Sequence, residues 1–130
     1  MRIVYIAHPI GGDVEQNLKK IRAIVRHLNL TEPHTVPFAP YYVDVVSLDD
    51  AKPEERARGI KNGLAVLARP GAVDELRLFG DTITSGMRAE VTAAHAMRIP
   101  IVCDNQEIRR HLEPLLKLLD GVIAQPNSPK

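Results

Sequence analysis

The sequence predicts an α/β protein: a parallel sheet of four to five strands with helices on both faces, three layers in all. Three observations carry this. Short apolar runs alternate with longer segments of three-and-four apolar spacing about once every 30 residues. The opening run, RIVYIA over residues 2–7, is apolar enough to be buried on both faces, as parallel strands are. The length of 130 residues, 45% hydrophobic and 25% charged, suits one soluble domain with a real core. The right-handed crossover rule then orders the strands 2-1-3-4, with a fifth after the fourth if residues 121–125 pair.

The first strand ends at His8-Pro9, and Ile10-Gly11-Gly12 reads as a turn. Asp13 is a natural cap for a helix to about Asn29, with Gln16 completing a capping-box pattern and Val14, Leu18, Ile21, Val25 and Leu28 on one face. Residues 35–39 form a second strand, placed near an edge by Pro37. Pro40 to Lys52 reads as a long connection. Pro53, followed by Glu54 and Glu55, opens a second helix that Pro70-Gly71 stops. Residues 73–79 form a third strand, Gly80–Ser85 a polar loop, 86–98 a third helix and 99–103 a fourth strand. Asp104, with Glu107 three residues on, caps a fourth helix whose apolar face holds Leu112, Leu115, Leu116 and Leu119. Gly121–Gln125 reads as a short fifth strand, so the domain spans residues 1–125 and the tail 126–130 is expected to be disordered.

Composition narrows the function classes. Seventeen basic against sixteen acidic side chains leave a net charge of +1, so no broad nucleic-acid or membrane-surface binding is expected. Cys103 is alone, which excludes an internal disulfide and a cysteine-built zinc site. The five histidines show no metal-ligand spacing, and neither a metal nor a cofactor is expected. No apolar run reaches the roughly 20 residues of a membrane span, and the N-terminus lacks the form of a secretory signal. A cytoplasmic protein is the expectation. Tyr41-Tyr42 is the one aromatic cluster, a thin basis for stacking bases.

In a parallel sheet, ligands sit beyond the carboxyl ends of the strands, where strand order reverses. Three segments leave those ends: His8–Asp13, Gly80–Gly86 and the segment after Phe38, and each leads into a candidate stretch. In the first, His8 to Gly12, two glycines permit close backbone approach to an anion at a helix start, or simply make a strand-to-helix turn. His8 is the one histidine at such an end. In the second, Gly80 to Glu90, Thr84 and Ser85 supply hydroxyls and a cap, and Gly86 leaves room for a ligand. Glu90 falls in the second turn of its helix, on the side of Ala94 and Met97. Burial raises its proton affinity and the helix start lowers it. It is then either a nucleophile or a structural acid paired with Arg88, Arg98 or a neighbour. In the third, Ser47 to Arg56, the adjacent Asp49 and Asp50 either bind ribose hydroxyls, a base or a metal, or form a solvated loop that caps a helix.

Taken together, these segments resemble the nucleoside 2-deoxyribosyltransferase-like family. VYIAHPIGGDVEQN looks like its first strand and loop, whose usual form is Y-[IL]-A-G-P. DELRLFGDTITSGMRAEVTAAHAMRIPIV is similar to its strand–loop–helix–strand block, with Gly86 four residues before Glu90. The pattern L-D-D-x-x-P-E-E-R, then D-E-L-x-x-F-G and S-x-G-M-x-x-E, resembles uncharacterised phage and bacterial relatives. The resemblance covers residues 2–102 or so.

It implies a flavodoxin-like sheet, a homodimer or larger homo-oligomer, and N-glycosidic chemistry on a nucleoside or nucleoside 5′-monophosphate. Glu90 takes the place of the family's nucleophile, and Tyr5 that of the aromatic residue that orients it. Ile10, Gly11, Gly12, Ser85 and Gly86 match segments that bind ribose or 5′-phosphate. The chain also departs from the pattern. His8 stands where the family has glycine, and the family's acid on the second helix falls at about Gly63, beside Asn62. Protonation of a leaving base is therefore assigned among Asp50, Asp81 and His8.

Overall fold

The structure is a computed structural model and describes residues 1–124. Its elements are β1 (Arg2–Ala7), α1 (Val14–Thr31), β2 (Thr35–Phe38), α2 (Tyr41–Ser47), α3 (Pro53–Leu67), β3 (Glu75–Leu78), α4 (Ser85–Ala96), β4 (Ile101–Cys103) and α5 (Gln106–Ala124). The four strands form one sheet in the order β2-β1-β3-β4, every pair parallel, the expected three-layer α/β sandwich with flavodoxin-like order. Tyr5 pairs with Phe38 on one side and Leu76 on the other. The strand order reverses between β1 and β3, so the crevice beyond Ala7 and Leu78 is where a ligand site is expected.

Alternation along β1 divides the core. Val4 and Ile6 pack with Leu28 and Phe79 on one face. Tyr5 and Ala7 join the larger cluster on the other, with Leu67, Leu76, Leu78, Met87 and Val91. Helix α3 packs against both α2 and α4. Among the described residues no helix is long and apolar enough to cross a membrane.

Local signals act as expected at several element starts. The Asp13 carboxylate accepts from the Gln16 N–H at 3.2 Å, and Pro53 opens α3. Three expectations change. Residues 121–124 continue α5 and form no strand: the helix is anchored by the face of Ile108, Leu112, Leu115 and Leu119, and one internal glycine, Gly121, costs it only about 1 kcal/mol. Gln125 and the tail lie outside the described residues. The cap of α5 is Asn105, whose side-chain oxygen accepts from the Ile108 N–H at 2.9 Å, one residue after the expected Asp104. The connection from Pro40 to Lys52 contains α2, held by buried Tyr41 with Tyr42 and Val45 packed against the same core.

Candidate active site

A pocket of about 360 Å3 opens at the carboxyl ends of β1 and β3. That is within the roughly 300–1,000 Å3 of small-molecule sites. Four segments build it: the end of β1 and the loop after it, α2 with the loop after it, the start and middle of α3, and the start of α4.

Glu90 lies one turn into α4, whose start is fixed by Thr84: its hydroxyl accepts from the Met87 N–H at 3.2 Å. Tyr5, fully buried on β1, donates its phenol hydrogen to Glu90 Oε2 at 2.6 Å. Neither Arg88 nor Arg98 pairs with Glu90, and among the described residues no cation forms an ion pair with it. Two residues apart on a helix, Arg88 faces elsewhere. Burial raises the Glu90 carboxyl to about 7, against the smaller downward pull of the Tyr5 hydrogen bond. Burial, and then the charge of Glu90, push the Tyr5 phenol far above its ordinary value, so it stays protonated and remains the donor. The two side chains are 85 residues apart in sequence and meet only through the β1–β3 register.

The Tyr5 hydroxyl has room because α3 offers glycine opposite it. A Cβ placed on Gly63 would stand 2.6 Å from that oxygen, closer than any contact of its kind. Gly59, one turn earlier, also lines the pocket, so a side-chain-free strip of α3 forms its floor between α2 and α4.

His8 is buried at 6% exposure and lines the pocket. Its Nδ1 lies 2.7 Å from the Pro9 carbonyl, which only accepts, so the hydrogen sits on Nδ1. Burial lowers its pKa, opposed by that hydrogen bond, and favours the neutral ring with Nε2 as acceptor. Asn17 Nδ2 ties the next turn down by donating to the carbonyls of Ile10 at 3.0 Å and Gly11 at 3.2 Å, while Gly12 takes φ +90°. Gly80, at φ +97°, brings the two loops together: a Cβ there would stand 3.0 Å from Pro9 Cδ.

The sequence-expected residues divide. Tyr5, His8, Ile10, Gly11, Gly12, Asp50, Gly86 and Glu90 all line the pocket. Ser85 and Asp81 do not; both are exposed, Ser85 just after the Thr84 cap and Asp81 in the turn after Gly80, close enough for its charge to act on His8. Thr84 takes the position on the pocket wall instead. The acidic pair separates as well. Asp49 organises the loop, accepting from the Ala51 N–H at 3.0 Å while its own N–H donates to Glu55 at 2.9 Å, and Asp50 faces the pocket.

Sequence reasoning missed Tyr41 and Asp44 on α2 and the role of Arg56 on α3. Tyr41 donates to the Ile6 carbonyl and its ring lies 6.0 Å from that of Tyr5. The guanidinium of Arg56 reaches over Gly11, 3.5 Å from where a Cβ there would stand. Asp44 accepts from Asn62 at 3.2 Å. The apolar spacing of Tyr41, Val45 and Leu48 is the signal in the sequence from which α2, and with it Asp44, could have been placed. No group of three or more His, Cys, Asp or Glu that could hold a metal occurs among the described residues.

Fold and pocket together define an α/β protein with a carboxylate-bearing cleft at its topological switch point. The chain belongs to the family described as a domain of unknown function, DUF7768, whose model matches residues 2–104 and so takes in all four strands and every residue of this pocket. Among curated proteins none matches the chain.

Proposed function

We propose that the protein cleaves or transfers the N-glycosidic bond of a nucleoside or nucleoside 5′-monophosphate, with Glu90 as nucleophile. One observation carries this reading: a carboxylate on a ligand-sized pocket, aimed by a buried tyrosine and neutralised by no cation. A nucleophile needs an available lone pair and a fixed line of approach to carbon at about 3–3.5 Å. A cation would hold that lone pair; a phenol leaves one oxygen and most of the charge available. The turn at Gly11 and Gly12 and the neighbouring Arg56 suit the sugar end of such a substrate. The resemblance to nucleoside 2-deoxyribosyltransferase-like proteins supports the same chemistry.

A screen of deoxynucleosides and their 5′-monophosphates for released base tests it. Wild-type protein is expected to release base from at least one of them, and Glu90→Gln from none while still folding and binding. A second reading, a non-catalytic nucleotide-binding module, is favoured by Gly63, which stands at the α3 position where the resemblance expects an acid. Nucleotide binding with no base release from any candidate would select it. The same resemblance supports a homo-oligomer, as do the exposed Val43 and Val46 on α2. Light scattering that gives a monomer at micromolar concentration counts against the assembly.

A further inference from the structure

Cleavage of a glycosidic C–N bond by a carboxylate leaves the bonding pair on the base. An anionic base leaves poorly, so a proton must reach a ring nitrogen as the bond breaks. Glu90 has to be ionised to attack and does not supply it. His8 has its one proton committed to the Pro9 carbonyl. Asp81 lies off the pocket. Both carboxylate oxygens of Glu55 are engaged, one by the Asp49 N–H at 2.9 Å and the other by Lys52 at 3.6 Å. Asp50 lines the pocket but has no side-chain partner among the described residues to fix its direction.

Asp44 differs from all of these. Arg58 Nε donates to Asn62 Oδ1 at 3.1 Å. That bond sets the orientation of the amide, because only the oxygen accepts, and so turns Nδ2 toward Asp44 Oδ2 at 3.2 Å. One oxygen of Asp44 is thereby held, and Oδ1 has no partner among the described residues. Helices α2 and α4 both pack against α3, so Asp44 and Glu90 enter the pocket from either side of the Gly59–Gly63 floor. Both act electrostatically on the Tyr5 hydroxyl, which places Asp44 near it as well.

Resting on the glycosidic reading above, we propose that Asp44, aimed by Asn62 and Arg58, is the acid that protonates the leaving base. A Glu90 oxygen bonds C1′ as the C1′–N bond breaks. The released pair on the base takes the proton from Asp44 Oδ1, giving neutral base, a glycosyl ester of Glu90 and an Asp44 carboxylate. Water, or the ring nitrogen of a second base, then attacks C1′ and gives its proton to Asp44. The C1′–O bond to Glu90 breaks, and both carboxyls return to their starting states.

The test varies the need for that proton. Two substrates are compared: the deoxynucleoside 5′-monophosphate that the wild type cleaves fastest, and 4-nitrophenyl 2-deoxyribofuranoside 5-phosphate, whose leaving group departs as a stable anion. Asp44→Asn is expected to lose roughly a hundred- to ten-thousandfold on the nucleotide and less than about tenfold on the nitrophenyl glycoside. Glu90→Gln loses both. Asn62→Ala, which leaves Asp44 in place but unaimed, is expected to shift the ratio of the two rates in the same direction. Equal losses on both substrates, or none, in Asp44→Asn overturn the assignment while the nucleophile reading stands. If Asp44→Asn does not fold, an unchanged ratio in Asn62→Ala overturns it instead. A wild-type protein that cleaves neither the nitrophenyl glycoside nor any deoxynucleoside or deoxynucleoside 5′-monophosphate refutes the glycosidic reading itself.

Discussion

Two glutamates withdrawn from solvent, Glu75 buried and Glu90 half-buried, stand at opposite ends of the sheet, and they are treated in opposite ways. Glu75 begins β3 at 7% exposure. Arg2 meets one of its oxygens at 3.1 Å and Arg77 the other at 2.7 Å, and Arg77 continues to Glu32 at 2.9 Å. That chain of charges ties β1, β3 and the entry to β2 together at the amino ends of the strands. Glu90 stands over the carboxyl ends with a phenol for company. Hydrogen bonding to Arg77 pulls the Glu32 carboxyl below its ordinary value, whereas burial lifts Glu90 to about 7. A buried acid given cations is a rivet. The same acid given a hydroxyl and a pocket carries a cost in folding that a reaction can use.

The comparison predicts substitutions of opposite sign. Glu75→Gln strands two guanidinium groups, one of them mostly buried, and breaking such a pair costs about 3–5 kcal/mol. Arg77 keeps Glu32, which puts the expected loss toward the low end of that range. Chemical denaturation measures it, and activity per folded molecule should be retained. Glu90→Gln should do the reverse. In the wild type the native state holds the Glu90 proton up to about 7, against 4.5 for an ordinary glutamate, so the native state binds more protons than the unfolded one in that window. Stability from this group is therefore complete below about pH 4.5 and is lost as pH rises through 7. Gln at this position removes the dependence. At about pH 8 the variant should exceed wild type by on the order of 3 kcal/mol, and by little at about pH 4, while base release disappears. A destabilised Glu90→Gln at pH 8 would place Glu90 with Glu75 among the structural acids.

The rivet and the reactive acid were not equally legible. Fold class and strand order follow from periodicity, and the Asp13 cap and Pro53 start from chemistry within one turn. Those signals are local, so they survive in one sequence. A two-turn helix between Pro40 and Pro53 offers only Tyr41, Val45 and Leu48 as pattern, and that faint signal hid Asp44. The Glu90–Tyr5 pair came from family resemblance, because no spacing rule joins residues 85 apart. The structure gives them a shared bond. Gly63 read as the absence of an acid; its positive role, clearing the Tyr5 hydroxyl, exists only after α3 has packed. Ser85 and Asp81 failed as pocket residues for a similar reason. Hydroxyl and carboxyl at a loop are visible in sequence, and the direction they point is not.

Gly63 offers a sharper test of how tightly the reactive end is built. In an exposed helix position, Gly→Ala stabilises by about 1 kcal/mol. Here the added methyl would sit 2.6 Å from the Tyr5 oxygen, with the ring carbon beyond it at 3.9 Å. Gly63→Ala should therefore destabilise, by about 1–3 kcal/mol, the ordinary range for an overpacked core. Combined with Tyr5→Phe, the clash is gone and the helix gain remains. The double variant should be more stable than the sum of the singles predicts. Additive effects in that cycle would mean the glycine serves something other than the phenol.

The smallest effect separates aiming from attack. Tyr5→Phe removes the one hydrogen bond that lowers the proton affinity of Glu90 and leaves burial, which raises it, in place. The carboxyl should then hold its proton to a pH above 7. Attack requires the ionised form, so the acid limb of the pH–rate profile should move to higher pH. Measured on the 4-nitrophenyl glycoside, which needs no proton from Asp44, the loss should be larger at about pH 6 than at about pH 9, where the Glu90 carboxylate is formed in both proteins. A merely structural tyrosine would lower the rate equally at every pH. The same variant also relieves the phenol of any part in aiming, so a deficit that persists on the alkaline plateau measures orientation alone. At the Glu75 end no such experiment exists, because guanidinium partners fix charge and position together. Burial raises the proton affinity of Glu90, and Tyr5 lowers it and fixes the direction without adding a charge, which is what distinguishes the carboxyl-end glutamate from its paired counterpart.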